Sequence, residues 1–222
     1  MNYLQLVNDY ITETGAGDPI GSITGQTDDY LKATTWISDA WTEIQRNRNW
    51  SFRWAEGSFT TSASESKYSL EALGRQLGDN FDLCSFRIQR DDGSTSSLRS
   101  IPHQLMRPLQ SATSDYPRTI SQYPDGSLRV YPTPSKAVVI TFEYFKAPVV
   151  LKLDQDTPAL DPQYHKAIVW KAVEQYAREQ GKEWASLNQS AIRSYNSIYS
   201  SLLGTETGRV YKSISPFNSP NR

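Results

Sequence analysis

The periodicity of this chain changes twice along its length. Up to about Asn49, and again beyond Pro162, apolar residues recur at helical spacing; from roughly Trp50 to Val150 the pattern is one of short strands and turns. Helices whose packing partners lie far away in sequence must associate to bury their apolar faces. The stretch between them therefore reads as an insertion rather than as half of the chain. That layout favours a scaffolding protein over a pocket enzyme.

Tyr3, Leu4, Val7, Tyr10 and Ile11 give a first short helix one apolar face, and Gly15 and Gly17 end it. GAGDPIGSITGQ is a loop. Thr27 or Asp28 caps a second helix with a seam of Tyr30, Thr34, Ile37, Trp41 and Ile44, widened by Trp36 and Ala40. At Trp50 the period becomes two, which predicts a strand with Trp50, Phe52 and Trp54 on one face. Further strands are expected over 68–70, 81–88, 97–101, 118–123, 127–131 and 137–145, with a brief helical turn over 103–109. Asp92-Gly93 and Pro124-Asp125-Gly126 are turn signals between them. Asp161 and Pro162 open a third helix with Tyr164, Ile168, Val169, Ala172, Val173 and Tyr176 on its apolar face. A fourth, over 182–203, carries Trp184, Leu187, Ala191, Tyr195, Ile198 and Leu202 and is expected to stop at Gly204.

These elements predict an α+β protein. Residues 1–48 and 162–204 form an antiparallel four-helix bundle, 49–150 a β-strand-rich insertion domain, 151–161 a linker, and 205–222 an extended C-terminal tail.

Composition narrows the function. A chain of 222 residues buries a core without metal or disulfide staples, and its single cysteine, Cys84, excludes an internal disulfide and points to a reducing cytoplasm as the place of folding. With 23 basic and 24 acidic residues, the formal charge of -1 supplies no global field for tight binding of DNA or of a membrane surface. The N-terminal stretch lacks the basic and apolar regions of a secretory signal, and no apolar run reaches the ~20 residues of a membrane span. Six Trp, thirteen Tyr and seven Phe must then be buried in cores or at interfaces.

Catalytic signatures are sparse. His103 and His165 have no Cys, His or carboxylate at ligand spacing, no G-x-S-x-G turn is present, and the glycines between Gly15 and Gly25 match no phosphate-binding loop. No catalytic residue, metal or cofactor is expected. Asp91, Asp92, Asp125, Asp154 and Asp156 are the carboxylates a glycosidase would draw on, but they sit in turns and a polar linker, where aspartate bonds its own backbone. A carbohydrate-binding or carbohydrate-degrading protein is the alternative reading. Trp36, Trp50 and Trp54 are candidates for a subunit interface. The C-terminal tail combines Arg209 and Lys212 with spaced apolar anchors at Tyr211, Ile214 and Phe217, a pattern suited to ordering on a partner.

MNYLQLVNDYI, the Gly/Thr loop and WISDAWTEIQRNRNWSFRWAEGSFTT resemble the adaptor (head-to-tail connector) proteins of tailed bacteriophages. YPDGSLRVYPTPSKAVVITFEYFKAPVVL, followed by DTPALDPQYHKAIVWKAVEQYA, is similar to the same family's passage from sheet to third helix. The resemblance implies a non-catalytic virion protein at the head-tail junction, made in the host cytoplasm. It implies a homo-oligomer, a dodecameric ring beneath the portal protein and above a downstream tail or nozzle protein, through which DNA passes without tight binding. It also places the portal contact on the C-terminal tail, and hence on Tyr211, Ile214 and Phe217, with the basic Arg209 and Lys212 of the same segment beside them.

Overall fold

The computed structural model describes residues 1–69, 80–81, 85–109 and 112–207. The chain divides into two compact units, one of Met1–Phe52 together with the chain from Val149 onward, the other of Arg53–Pro148.

The helices are α1 (Tyr3–Thr14), α2 (Asp28–Arg46), α3 (His103–Met106), α4 (Lys166–Gln180) and α5 (Ala185–Thr207). In the first unit α1 starts with a reciprocal cap between Asn2 and Gln5 and ends at Gly15, whose φ of 65° is the left-handed conformation glycine adopts without strain. It buries Tyr3, Leu6, Val7, Tyr10 and Ile11, so Leu6 takes the core position expected of Leu4. The glycine loop is tied down. Asn8 receives the Ile20 N–H (2.8 Å) and donates to the Ile20 carbonyl (3.0 Å), and Asp154 receives the Ile23 N–H (2.8 Å). Gly17 lies so close to Tyr30 that a Cβ there would stand 2.5 Å from its hydroxyl oxygen.

The expected antiparallel four-helix bundle does not form. α4 is the hub: α1, α2 and α5 each pack on it, α1 and α2 pack on each other, and α5 has no comparable contact with α1 or α2. The reason lies in α5. Its stripe is thin, with Ala191, Tyr195 and Leu202 buried and Leu187, Ile198, Tyr199 and Leu203 only partly covered, enough to lie against one helix rather than two. Nor does α5 stop at Gly204, which lies inside it; local glycine cost is outweighed by the contacts of the last turn.

Residues 151–161 pack as part of this unit. Leu151 and Leu160 are buried, and the carbonyls of Asp154 and Asp156 accept the first N–H groups of α1, from Leu4 (3.2 Å) and Tyr3 (2.7 Å). Those N–H groups have no partner within their own helix, so the segment completes α1 as a cap would.

Arg53–Pro148 is built on strands: β1 (Trp54–Thr60), β2 (Lys67–Tyr68), β3 (Asn80–Phe81), β4 (Arg87–Gln89), β5 (Thr95–Ser97), β6 (Arg99–Ser100), β7 (Thr113–Ser114), β8 (Thr119–Gln122), β9 (Leu128–Tyr131), β10 (Thr133–Pro134) and β11 (Val139–Phe145). One sheet runs β1-β11-β4-β5 with β3 also on β11, a second β2-β9-β8-β6, and β10 pairs with β7. Ile140, Phe142 and Tyr144 alternate inward from β11 and share one core with Ile120, Leu128 and Val130 of the second sheet. The expected strand through Trp50, Phe52 and Trp54 is instead a 3-10 turn over Ser51–Arg53, with β1 beginning at Trp54. Stacking of Phe52 between Trp41 and Trp50 (5.6 and 5.9 Å between centroids) outweighs the alternation of the local sequence.

Candidate functional site

The last turn of α5 is fixed at two points. Glu206 receives hydrogen bonds from the Ser51 N–H (3.0 Å) and hydroxyl (2.7 Å), and the Tyr164 and Thr205 hydroxyls share one at 2.7 Å. Around them lies a concavity of about 340 Å³ whose lining includes Phe52, Leu160, Asp161 and Leu202. A segment that follows Thr207 therefore starts from a defined place on the helical unit. Arg209, Tyr211, Lys212, Ile214 and Phe217 lie outside the described residues.

The three tryptophans considered for a subunit interface, Trp36, Trp50 and Trp54, are not brought together. Trp36 is 8% exposed and meets Tyr10 and Tyr176 edge-on, at 6.2 and 6.0 Å. Trp50 has no exposed surface: its indole N–H donates to the Ile44 carbonyl at 2.6 Å, and its ring stacks on Phe52 and meets Tyr199 edge-on. Both residues spend their aromatic surface inside the subunit, which leaves Trp50 nothing to present to a neighbour. Trp54, on β1, is half-buried and donates its indole N–H to Glu143 (3.1 Å).

Apolar surface is exposed elsewhere. On the helical unit it comes from Leu31, Val149, Val150 and Leu153, and in the strand-built unit from Leu105. Val149 is held by Gln45, which accepts its N–H and donates to its carbonyl, both at 2.9 Å, while Ser38 donates to the Leu151 carbonyl. Leu151 turns inward and Val149, Val150 and Leu153 outward. The run VVLKL was visible in the sequence, but proline and aspartate around it read as linker, and nothing local reveals a glutamine over a hundred residues away as its anchor.

The aspartates take up backbone groups. Asp92 receives the Ser94 N–H (2.9 Å), Asp125 that of Ser127 (3.0 Å), and Asp156 those of Lys152 and Leu153 (2.7 and 2.9 Å). Hydrogen bonds from Lys67 and Ser127 hold the Asp125 carboxyl well below the usual carboxylate range, and Lys136, bonded to Asp91 and Tyr116, lowers the pKa of Asp91. Two other acidic residues are neighbours across strands. Glu56 and Glu143 are cross-strand partners on β1 and β11, and with Ser85, Arg87 and Thr141 they line a concavity of about 360 Å³. Sequence reading missed this pair because register, not spacing, creates it.

His165 is fully buried. Its Nε2 bonds the Leu160 carbonyl (2.8 Å) and its Nδ1 the Met1 amino group (2.7 Å), and burial, followed by the nearby ammonium, lowers its pKa. Both ring nitrogens are thus engaged in holding chain segments together. Among the described residues no group of three or more His, Cys, Asp or Glu is placed to hold a metal ion, and no helix is long and apolar enough to cross a membrane. A family model described as SU10 adaptor protein matches residues 1–215; no curated protein matches the chain.

Proposed function

This chain belongs to the SU10 adaptor protein family, bacteriophage adaptors of the virion that contact other head and tail proteins, and we propose that its subunits form a ring of twelve between the portal protein and a downstream tail or nozzle protein. The observation that carries the reading is the fixed last turn of α5, where Glu206 and Thr205 are bonded to Ser51 and Tyr164. A tail with spaced apolar anchors, launched from a rigid point, loses less entropy on docking than one launched from a frayed helix. Arg209, Tyr211, Lys212, Ile214 and Phe217 are its portal contacts. A closed ring of identical chains needs two different complementary faces, and the exposed Val149, Val150 and Leu153 supply apolar area to one of them. A near-neutral subunit lets DNA slide through the ring, because few counterions are released at any position. The protein works by assembly and not by catalysis.

Truncation after Thr207 tests this. The shortened protein is expected to keep its circular dichroism spectrum and to lose binding to purified portal, while electron micrographs of full-length protein with portal show a ring. Portal binding by the truncation at full strength removes the role assigned to the tail, and release of sugar from host polysaccharide by the wild type argues for an enzyme instead.

A further inference from the structure

The β8–β9 hairpin has one apolar face and one polar face. Ile120, Leu128 and Val130 enter the core, while Ser121 stands opposite Arg129 in the register on the other side. α3 packs against β8, and its Met106 is buried. Tyr123, just past β8, is 9% exposed, and its hydroxyl has no hydrogen-bond partner; the same holds for Ser121 Oγ and for Arg129 Nε, which are likewise buried. The Arg129 guanidinium lies over the Tyr123 ring at 4.2 Å, and the His103 ring is 5.5 Å from that of Tyr123. Every ion pair among the described residues engages another cation. Tyr123 and Arg129 line a concavity of about 100 Å³ together with Met106, Leu109, Tyr131 and Thr133.

We infer that this niche receives a single carboxylate, carried on an acidic side chain of a partner protein. Arginine keeps its charge, and a buried donor of a charged group is stable only when an acceptor meets it. Tyr123 and Arg129 line the same small space, and a carboxylate that enters it has one oxygen for the Arg129 Nε–H and one for the Tyr123 hydroxyl. Stacking on the Tyr123 ring fixes the plane of the guanidinium in advance, so little freedom is lost when the acceptor arrives. A space of about 100 Å³ admits a carboxylate with the carbon that bears it. The choice of a protein as the source rests on the family's contacts with other head and tail proteins.

Acetate is the probe for the chemistry, and blocked amino acids are the probes for the source. In ¹⁵N-edited spectra of the full-length protein, sodium acetate is expected to shift the Arg129 Nε–H resonance saturably, with sodium chloride at equal ionic strength leaving it in place. N-acetyl-glutamate amide or N-acetyl-aspartate amide reproduces the shift, and the corresponding glutamine and asparagine amides do not. Tyr123→Phe, which keeps the ring and the stack, weakens acetate binding roughly tenfold or more, the loss expected for a hydrogen bond to a charged group. An unsaturable shift, an equal response to chloride, or unchanged affinity in Tyr123→Phe overturns the site and leaves it to water. Acetate binding without either blocked amino acid overturns the protein side chain as occupant. Neither result bears on ring formation or portal binding.

Discussion

The two compact units both use side chains to clamp distant backbone, and they differ in what their aspartates hold. In the helical unit, side chains clamp backbone far away in sequence: Gln45 holds both polar groups of Val149, and Asp154 holds the N–H of Ile23. In the strand-built unit Thr61 holds both polar groups of Val138 and Ser85 those of Glu143, while Asp92 and Asp125 take the N–H groups of Ser94 and Ser127 in their own turns, Asp125 also pairing with Lys67 at the surface. Long clamps are needed where residues 1–52 must find those beyond 148, because a chain that closes a long loop gains nothing until the distant contact forms. A turn aspartate acts only on the few residues around it. Loss of a clamp should therefore cost the helical unit more than loss of a turn aspartate costs the other.

The largest expected effect is that of Trp50→Ala. It removes a fully buried ring stacked on Phe52 and leaves the Ile44 carbonyl without its donor, and should cost ~3–5 kcal/mol. Urea unfolding followed by helix circular dichroism measures it. A cost below about 1 kcal/mol, the size of an ordinary surface change, breaks the picture of a core organised around this residue.

Next comes the contrast of clamps. Gln45→Ala leaves the part-buried N–H and carbonyl of Val149 to water, for about 1–2 kcal/mol, while Asp125→Asn, exposed and in a turn that asparagine also supports, is expected to leave the unfolding midpoint in place. Equal effects of the two substitutions would erase the distinction between a long clamp and a turn aspartate.

The smallest effect is a pH dependence. Burial lowers the pKa of His165 below its ordinary 6.5, so the unfolded chain binds the proton more readily than the folded one. The contribution of the neutral ring is complete above about pH 6.5 and is lost as the pH falls below it. Urea midpoints at pH 7.5 and 5.5 should differ more for wild type than for His165→Gln; an identical difference assigns the pH effect to other groups.

Much of this was legible in advance. Glycine after Thr14, Asp161 before Pro162 and the two Asp-Gly turns act through their own backbone within a few residues, and the structure has α1 ending at Gly15, Asp161 accepting from Gln163, and left-handed glycines at Gly93 and Gly126. The family was legible too, through aromatics and turns in order along the chain. The bundle was not, because periodicity reports that a helix has an apolar stripe and not how many neighbours will cover it. Trp50 and Phe52 were misread for the same reason: alternation over five residues fits a strand, but the rings of Trp41 and Tyr199 that enclose them come from elsewhere.

What the sequence determined by itself, then, is whatever acts over one turn of chain: caps, hairpin turns, the change of period near Trp50, the near-zero net charge. Tertiary structure decided the rest. Only folding sets Asp154 beside Ile23, Glu206 beside Ser51, and Arg129 over Tyr123. A hydrogen bond or a stacked ring depends on distance in space, and once residues are tens of positions apart the order of a chain no longer fixes that distance.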